Sequence, residues 1–127
     1  DFDLYWIEEP VHPSNVEGMS ELNLLFPIAG GEALSGIAEF DQYLEKNCAS
    51  YIQPDVSHSG GFDVCMKVAE KWPKTAAHVW GSGLAVLANL HFALASNIHI
   101  LEIPMMTLAI TDEIITENLE IINGKIV

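Results

Sequence analysis

Arginine is absent from the chain, and five lysines face 18 acidic residues, for a formal net charge of −13 over 127 residues. Surfaces that bind nucleic acid or anionic membranes do so with basic side chains, so this shortage argues against both. Cysteine is also scarce. Cys48 and Cys65 lie apart, without CxxC spacing, which fits two free thiols in a reducing compartment, the cytoplasm, better than a disulfide framework. Cys48 reads as a small core or helix-end residue and Cys65 as a helix residue. No apolar stretch reaches the roughly 18 residues that a membrane span needs. Asp1 and Asp3 stand where a secretory leader would be basic.

What is present is a globular composition. Half of the residues are hydrophobic, enough for one modest domain with one core. The acidity is compatible with bound divalent cations, although a solvated acidic surface is its commoner cause.

Five short β-prone runs read as strands: 4–8, 28–32, 50–55, 76–80 and 98–103. Helix-like segments lie between them at 16–25, 37–46, 62–71 and 84–96. The third follows the Gly60-Gly61 turn, and the fourth is apolar nearly all round, which predicts deep burial. Asn123-Gly124 in the tail is a hairpin signal. Strict β-α alternation predicts an α/β fold with a parallel sheet and crossover helices. No domain linker is visible, and the ends, falling directly on predicted strands, do not look like natural termini.

An ionisable residue stands at or near the end of every predicted strand: Glu8, Glu32, Asp55, His78 and Glu102. The intervals from 8 to 32, 55, 78 and 102 are 24, 23, 23 and 24 residues. One such group per βα unit, at a constant point in the unit, places all five on one rim of the sheet. In a (β/α)8 barrel that rim is the C-terminal face, where active sites are built. Eight units of this length need roughly 190 residues, so the chain reads as a partial (β/α)8 TIM barrel of about five units. A doubly wound open sheet is the alternative.

The residue types indicate the chemistry. Carboxylates on adjacent strand ends, Glu8 and Glu32, suit a hard cation such as Mg2+, which takes oxygen ligands and keeps some waters. Asp55 and His78, on neighbouring strands, suit a hydrogen-bonded pair in which the carboxylate fixes the imidazole tautomer and raises its basicity. Such pairs can also be purely structural.

These stretches resemble the barrel domain of the enolase superfamily, in its mandelate racemase and muconate lactonizing branch. "WIEEP" resembles the strand-four motif, "GGE" strand five, "QPD" followed by "SGG" strand six, "AAHVWGSG" strand seven and "LEIP" strand eight. The resemblance implies Glu8 and Glu32 as Mg2+ ligands, Asp55 and His78 as the catalytic dyad, and Glu102 as a hydrogen-bond partner of the substrate carboxylate or its enediolate. It implies abstraction of a proton α to a carboxylate, with His78 as base or acid. "HVWGSG" is most similar to members acting on acid sugars, which points to a dehydratase, cycloisomerase or racemase. His12 and Trp80 lie near the same rim as possible substrate contacts, with packing as the alternative for each. His58 reads as a turn residue, His91 and His99 as helix and strand-edge residues, and Met105-Met106 as loop packing.

The resemblance also implies a larger protein. The first metal ligand, an aspartate on strand three, the strand-two base and most of the capping domain should lie upstream of residue 1. Residues 1–127 then form the C-terminal part of a barrel domain, completed by a missing segment or by homo-oligomerisation. Taken alone, such a piece leaves open sheet edges, and the alternative function is a non-catalytic structural or assembly unit.

Overall fold

A computed structural model of the chain describes residues 2–72, 74–104 and 119–127. Three short strands, β1 (Ile7–Glu8), β2 (Ile28–Gly30) and β3 (Tyr51–Ile52), pair in parallel in chain order. Ile7 lies opposite Ile28, and Ala29 opposite Tyr51. Two further segments continue the ladder through parallel bridges that join Ile52 to Thr75 and Ala77 to Leu101. The His78 N–H donates to the Pro54 carbonyl at 3.1 Å and the Glu102 N–H to the Ala77 carbonyl at 2.9 Å. All five segments thus lie side by side in sequence order. A doubly wound sheet reverses its order at a switch point; among the described residues the order does not reverse.

The paired stretches are shorter than the β-prone runs. The stretches 76–80 and 98–103 form single bridges rather than regular strands, and 4–8 contracts to its last two residues. Propensity marks which residues tolerate extension, whereas a ladder also needs donors and partners. The β1–β2 pairing begins at Pro27, whose carbonyl accepts from the Ile7 N–H but which has no N–H of its own to carry the pairing further. Leu4 and Tyr5, before it, are exposed.

Helices α1 (Val16–Asn23), α2 (Ile37–Glu45), α3 (Phe62–Lys71) and α4 (Gly83–Ala95) form where the apolar spacing predicts them. Asn15 caps α1, its side-chain oxygen accepting from the Gly18 N–H at 3.1 Å. One core joins the sheet to the first three helices through Met19, Ile28, Phe40, Tyr43, Ile52 and Val68. A second packs α3 and α4 against the fourth segment through Val56, Cys65, Ala77 and Phe92. The deep burial expected of α4 holds on one side of the helix only. Its Val86, Asn89, Phe92 and Ala93 are buried, while Leu84 and Leu94 face outward, because among the described residues the helix has packing partners on one side.

The tail forms the expected hairpin, with β4 (Ile121–Ile122) antiparallel to β5 (Lys125–Ile126). Asn123 and Gly124 supply the positive φ values of its turn, 52° and 74°. Met105-Met106 falls outside the described residues. Among those described, no helix is long and apolar enough to cross a membrane.

Candidate active site

The five strand-end residues gather into two groups around the sheet's C-terminal rim. In the first, His78 stands between two carboxylates. Its Nδ1 lies 3.1 Å from Asp55 Oδ2 and its Nε2 lies 3.1 Å from Glu32 Oε2. In the second, Gln53 bridges the outermost segments: its Nε2 donates to Glu8 Oε2 at 2.9 Å and to Glu102 Oε1 at 2.7 Å.

Local structure accounts for the placement. Residues two apart on an extended segment share a face, so Gln53 and Asp55 project to the same side. After β2 the chain turns sharply at Gly31, with φ +109°, and this re-aims Glu32. Asp55 is buried and heavily bonded. Oδ1 accepts from the Ser57 N–H at 2.8 Å, the Ser57 hydroxyl at 2.6 Å and Asn89 Nδ2 at 2.9 Å. Oδ2 faces His78 and accepts from the Trp80 N–H at 3.3 Å.

Burial by itself pushes the Asp55 carboxyl up, but the hydrogen bonds from His78, Ser57 and Asn89 outweigh it and hold the group well below the usual carboxylate range. Burial pushes His78 down, and the Asp55 hydrogen bond together with the charges of Glu32, Asp55 and Glu102 more than reverses this, leaving His78 raised. An imidazolium satisfies both neighbouring carboxylates. A neutral ring with its proton on Nδ1, toward Asp55, leaves Nε2 as a free base. Burial raises Glu102, with the Gln53 hydrogen bond opposing and the Glu8 charge adding to the rise.

Other side chains were less legible. Gln53, fully buried, stands in the β-prone run and opens the "QPD" stretch, but nothing in the sequence marks its own contacts. The face rule, applied two residues upstream of Asp55, finds it. Asn89 is a lone amide in an apolar helix, and a buried amide needs partners; besides Asp55 it takes the Val56 N–H on its Oδ1 at 2.9 Å. Glu9, next to the expected ligand, accepts from the Gly31 N–H at 3.1 Å, and burial raises its carboxyl. His12 bonds to Ser14 at 2.8 Å, and His58 packs its turn against the Ala33 carbonyl at 3.2 Å. Trp80 is 61% exposed, so its ring lies outside the core. His91 and His99 are exposed on α4 and ahead of the fifth segment.

The donors at this rim fit Mg2+ in kind. They are carboxylate oxygens, and the charges of Glu8 and Glu32 both act against ionisation of Glu102, a field that a cation relieves. Mg2+ is commonly held by one or two carboxylates with water and substrate completing the shell, and Glu8 and Glu32 supply that number. Among the described residues no three His, Cys, Asp or Glu side chains form a metal-holding group on their own.

Comparison with known proteins gives a consistent picture. A family model, Enolase C-terminal domain-like, matches residues 1–127. The D-galactarolactone cycloisomerase of Agrobacterium fabrum is 32% identical over 100 residues, which are 74% of this chain and 26% of that protein. The L-talarate/galactarate dehydratase of Salmonella typhimurium is 34% identical over 101 residues, 78% of this chain and 23% of that protein. A crystal structure from Burkholderia xenovorans strain LB400, a provisionally assigned L-alanine-DL-glutamate epimerase bound to magnesium and fumarate, superposes with a TM-score of 0.84 at 29% identity. It covers 100% of this chain, which in turn covers 33% of it. The chain thus spans about a quarter of the length of the curated relatives it matches.

Proposed function

The chain belongs to the enolase C-terminal domain-like family, and from that membership we propose that it carries the base-bearing side of a site that abstracts a proton α to the carboxylate of an acid sugar, with Mg2+, through an enediolate. The observation that carries this reading is His78, held on Nδ1 by Asp55 and presenting Nε2 toward the rim carboxylates. Dehydratase and cycloisomerase relatives support the substrate class and the outcome. Racemisation is the third possible outcome of the same first step.

In this reading Glu8 and Glu32 hold the ion. Bound there, Mg2+ supplies Lewis-acid stabilisation of the negative charge that develops on the substrate carboxylate. His78 Nε2 accepts the α-proton, and Asp55 keeps the ring's other proton on Nδ1 and stabilises the imidazolium that results. Glu102, raised by burial, retains a proton more readily than an exposed carboxyl and can donate it to the substrate's carboxylate oxygen. If a β-hydroxyl is present, it leaves as water with the proton that His78 has taken, and the proton lent by Glu102 returns to it as the carboxylate re-forms, which completes a dehydration. Residues 1–127 act as the C-terminal part of a (β/α)8 barrel, with the remaining strands and a cap supplied by further chain or a partner copy. The free thiols of Cys48 and Cys65 suit a reducing compartment such as the cytoplasm.

A second reading is a non-catalytic barrel piece. The two separate in one experiment. The full-length gene product is incubated in D2O with a panel of acid sugars, with Mg2+ or with EDTA, and α-carbon exchange is followed by NMR. Mg2+-dependent exchange that His78→Asn abolishes supports catalysis. No exchange with any sugar, together with no Mg2+ binding by calorimetry, supports the inert piece.

A further inference from the structure

Gln53 has no place in the chemistry above, yet it touches both ends of it. Its side chain is fully buried at the centre of the rim. Its single NH2 group binds the β1 carboxylate, Glu8, and the fifth-segment carboxylate, Glu102, which are 94 residues apart in the chain. Among the described residues it is the only donor to either side-chain carboxylate. Its Oε1 is buried without a partner among the described residues, a costly condition that ordinary packing would remove by substituting an apolar side chain of the same length. The amide cannot relieve the cost by flipping, because that would set Oε1 against two carboxylates.

We propose that Gln53 is a positioning residue that orients Glu8 and Glu102 as a pair, so that one amide sets both the metal-holding and the substrate-contacting carboxylate. The inference rests on the reading of Glu8 as a metal ligand. Partners that orient a ligating carboxylate typically matter 10–100-fold for metal affinity, and the two N–H bonds of Gln53 are of that kind. A residue kept for packing alone would be replaceable by methionine, which matches its length and donates nothing.

The test is Mg2+ titration calorimetry on the full-length gene product, comparing wild type, Gln53→Met and Glu8→Gln, with the melting temperature of each metal-free protein. The expected result is a metal affinity in Gln53→Met lower by about 10-fold or more, with the metal-free melting temperature unchanged or higher. An unchanged affinity in Gln53→Met while Glu8→Gln loses binding overturns the role of Gln53 and leaves the metal reading standing. An unchanged affinity in Glu8→Gln overturns the metal reading itself. Should Gln53→Met fail to fold, the side-chain amide resonances of Gln53 in the wild-type protein decide. A shift on adding Mg2+ that is absent in Glu8→Gln supports the proposal, and no shift overturns it.

Discussion

Asn89 reaches from the middle of α4 to Asp55, its Nδ2 lying 2.9 Å from Oδ1 while its Oδ1 takes the Val56 N–H at 2.9 Å. Helix α4 therefore fixes the aspartate that fixes His78. Asn89→Leu matches the volume of the site but removes a hydrogen bond to a charged group and strands a buried N–H. A bond to a charged group is worth about 1.5–3 kcal/mol, so urea unfolding should show a loss of about 2–3 kcal/mol. The α-proton exchange rate should fall as well, since Asp55 no longer holds a single orientation.

The Asp55–His78 pair also sets a pH window for stability in the metal-free protein. Burial opposes ionisation of Asp55, but its hydrogen bonds from His78, Ser57 and Asn89 dominate and depress the folded pKa. A depressed carboxyl stabilises fully above its ordinary value of 3.8 and loses that contribution as pH falls below it. For His78 burial works against the charged form, and the Asp55 bond with the charges of Glu32, Asp55 and Glu102 overcomes it. A raised imidazole stabilises fully below its ordinary value of 6.5 and loses that contribution as pH climbs through the folded pKa. The contribution of this pair to stability in EDTA should therefore be greatest between these values. Measured against pH, the acid limb should shrink most in Asp55→Asn and the alkaline limb most in His78→Gln, each variant also weakening the other limb because the two groups shift one another.

The rim was legible because its signal is periodic: Glu8, Glu32, Asp55, His78 and Glu102 recur once per βα unit, and a parallel sheet with one helix per crossover leaves such residues nowhere else to converge. The helices were legible from their apolar spacing and the hairpin from Asn123-Gly124. The extent of pairing was not, because it depends on where Pro27 removes a donor and Gly31 turns the chain, which are facts about partners rather than propensity. Gln53 and Asn89 went unread for a related reason. Each is an ordinary polar residue in its own segment, and its meaning lies in contacts 33 to 49 residues away.

Cysteine chemistry offers a separate check on the core. Cys48 and Cys65 are free and buried. Burial raises both thiols, Cys65 to about 12 with the nearby Asp55 charge adding to the effect. The thiolate is the reactive species, so neither should be alkylated by iodoacetamide at pH 8 in the folded protein. Mass spectrometry should find both labelled in guanidinium. Labelling of Cys65 under native conditions would mean that α3 does not pack against α4 as described.

Gly31 tests whether the turn after β2 carries the site. Its φ is +109°, and a Cβ placed there meets Ile52 Cδ1 at 2.6 Å. Gly36 also has positive φ, +78°, but a Cβ there meets nothing within 4 Å. Both alanine variants therefore carry a positive-φ backbone cost of about 1–3 kcal/mol, and only Gly31→Ala adds a close contact with the Ile52 side chain in the core of β3. Denaturant unfolding should place Gly31→Ala below Gly36→Ala by about 1–3 kcal/mol, the range for overpacking. The turn also aims the adjacent Glu32 carboxylate and donates the Gly31 N–H to Glu9. Mg2+ affinity, measured on full-length variants that remain folded, should consequently drop in Gly31→Ala and stay at the wild-type value in Gly36→Ala. Equal affinities in the two would separate Glu32 from the metal.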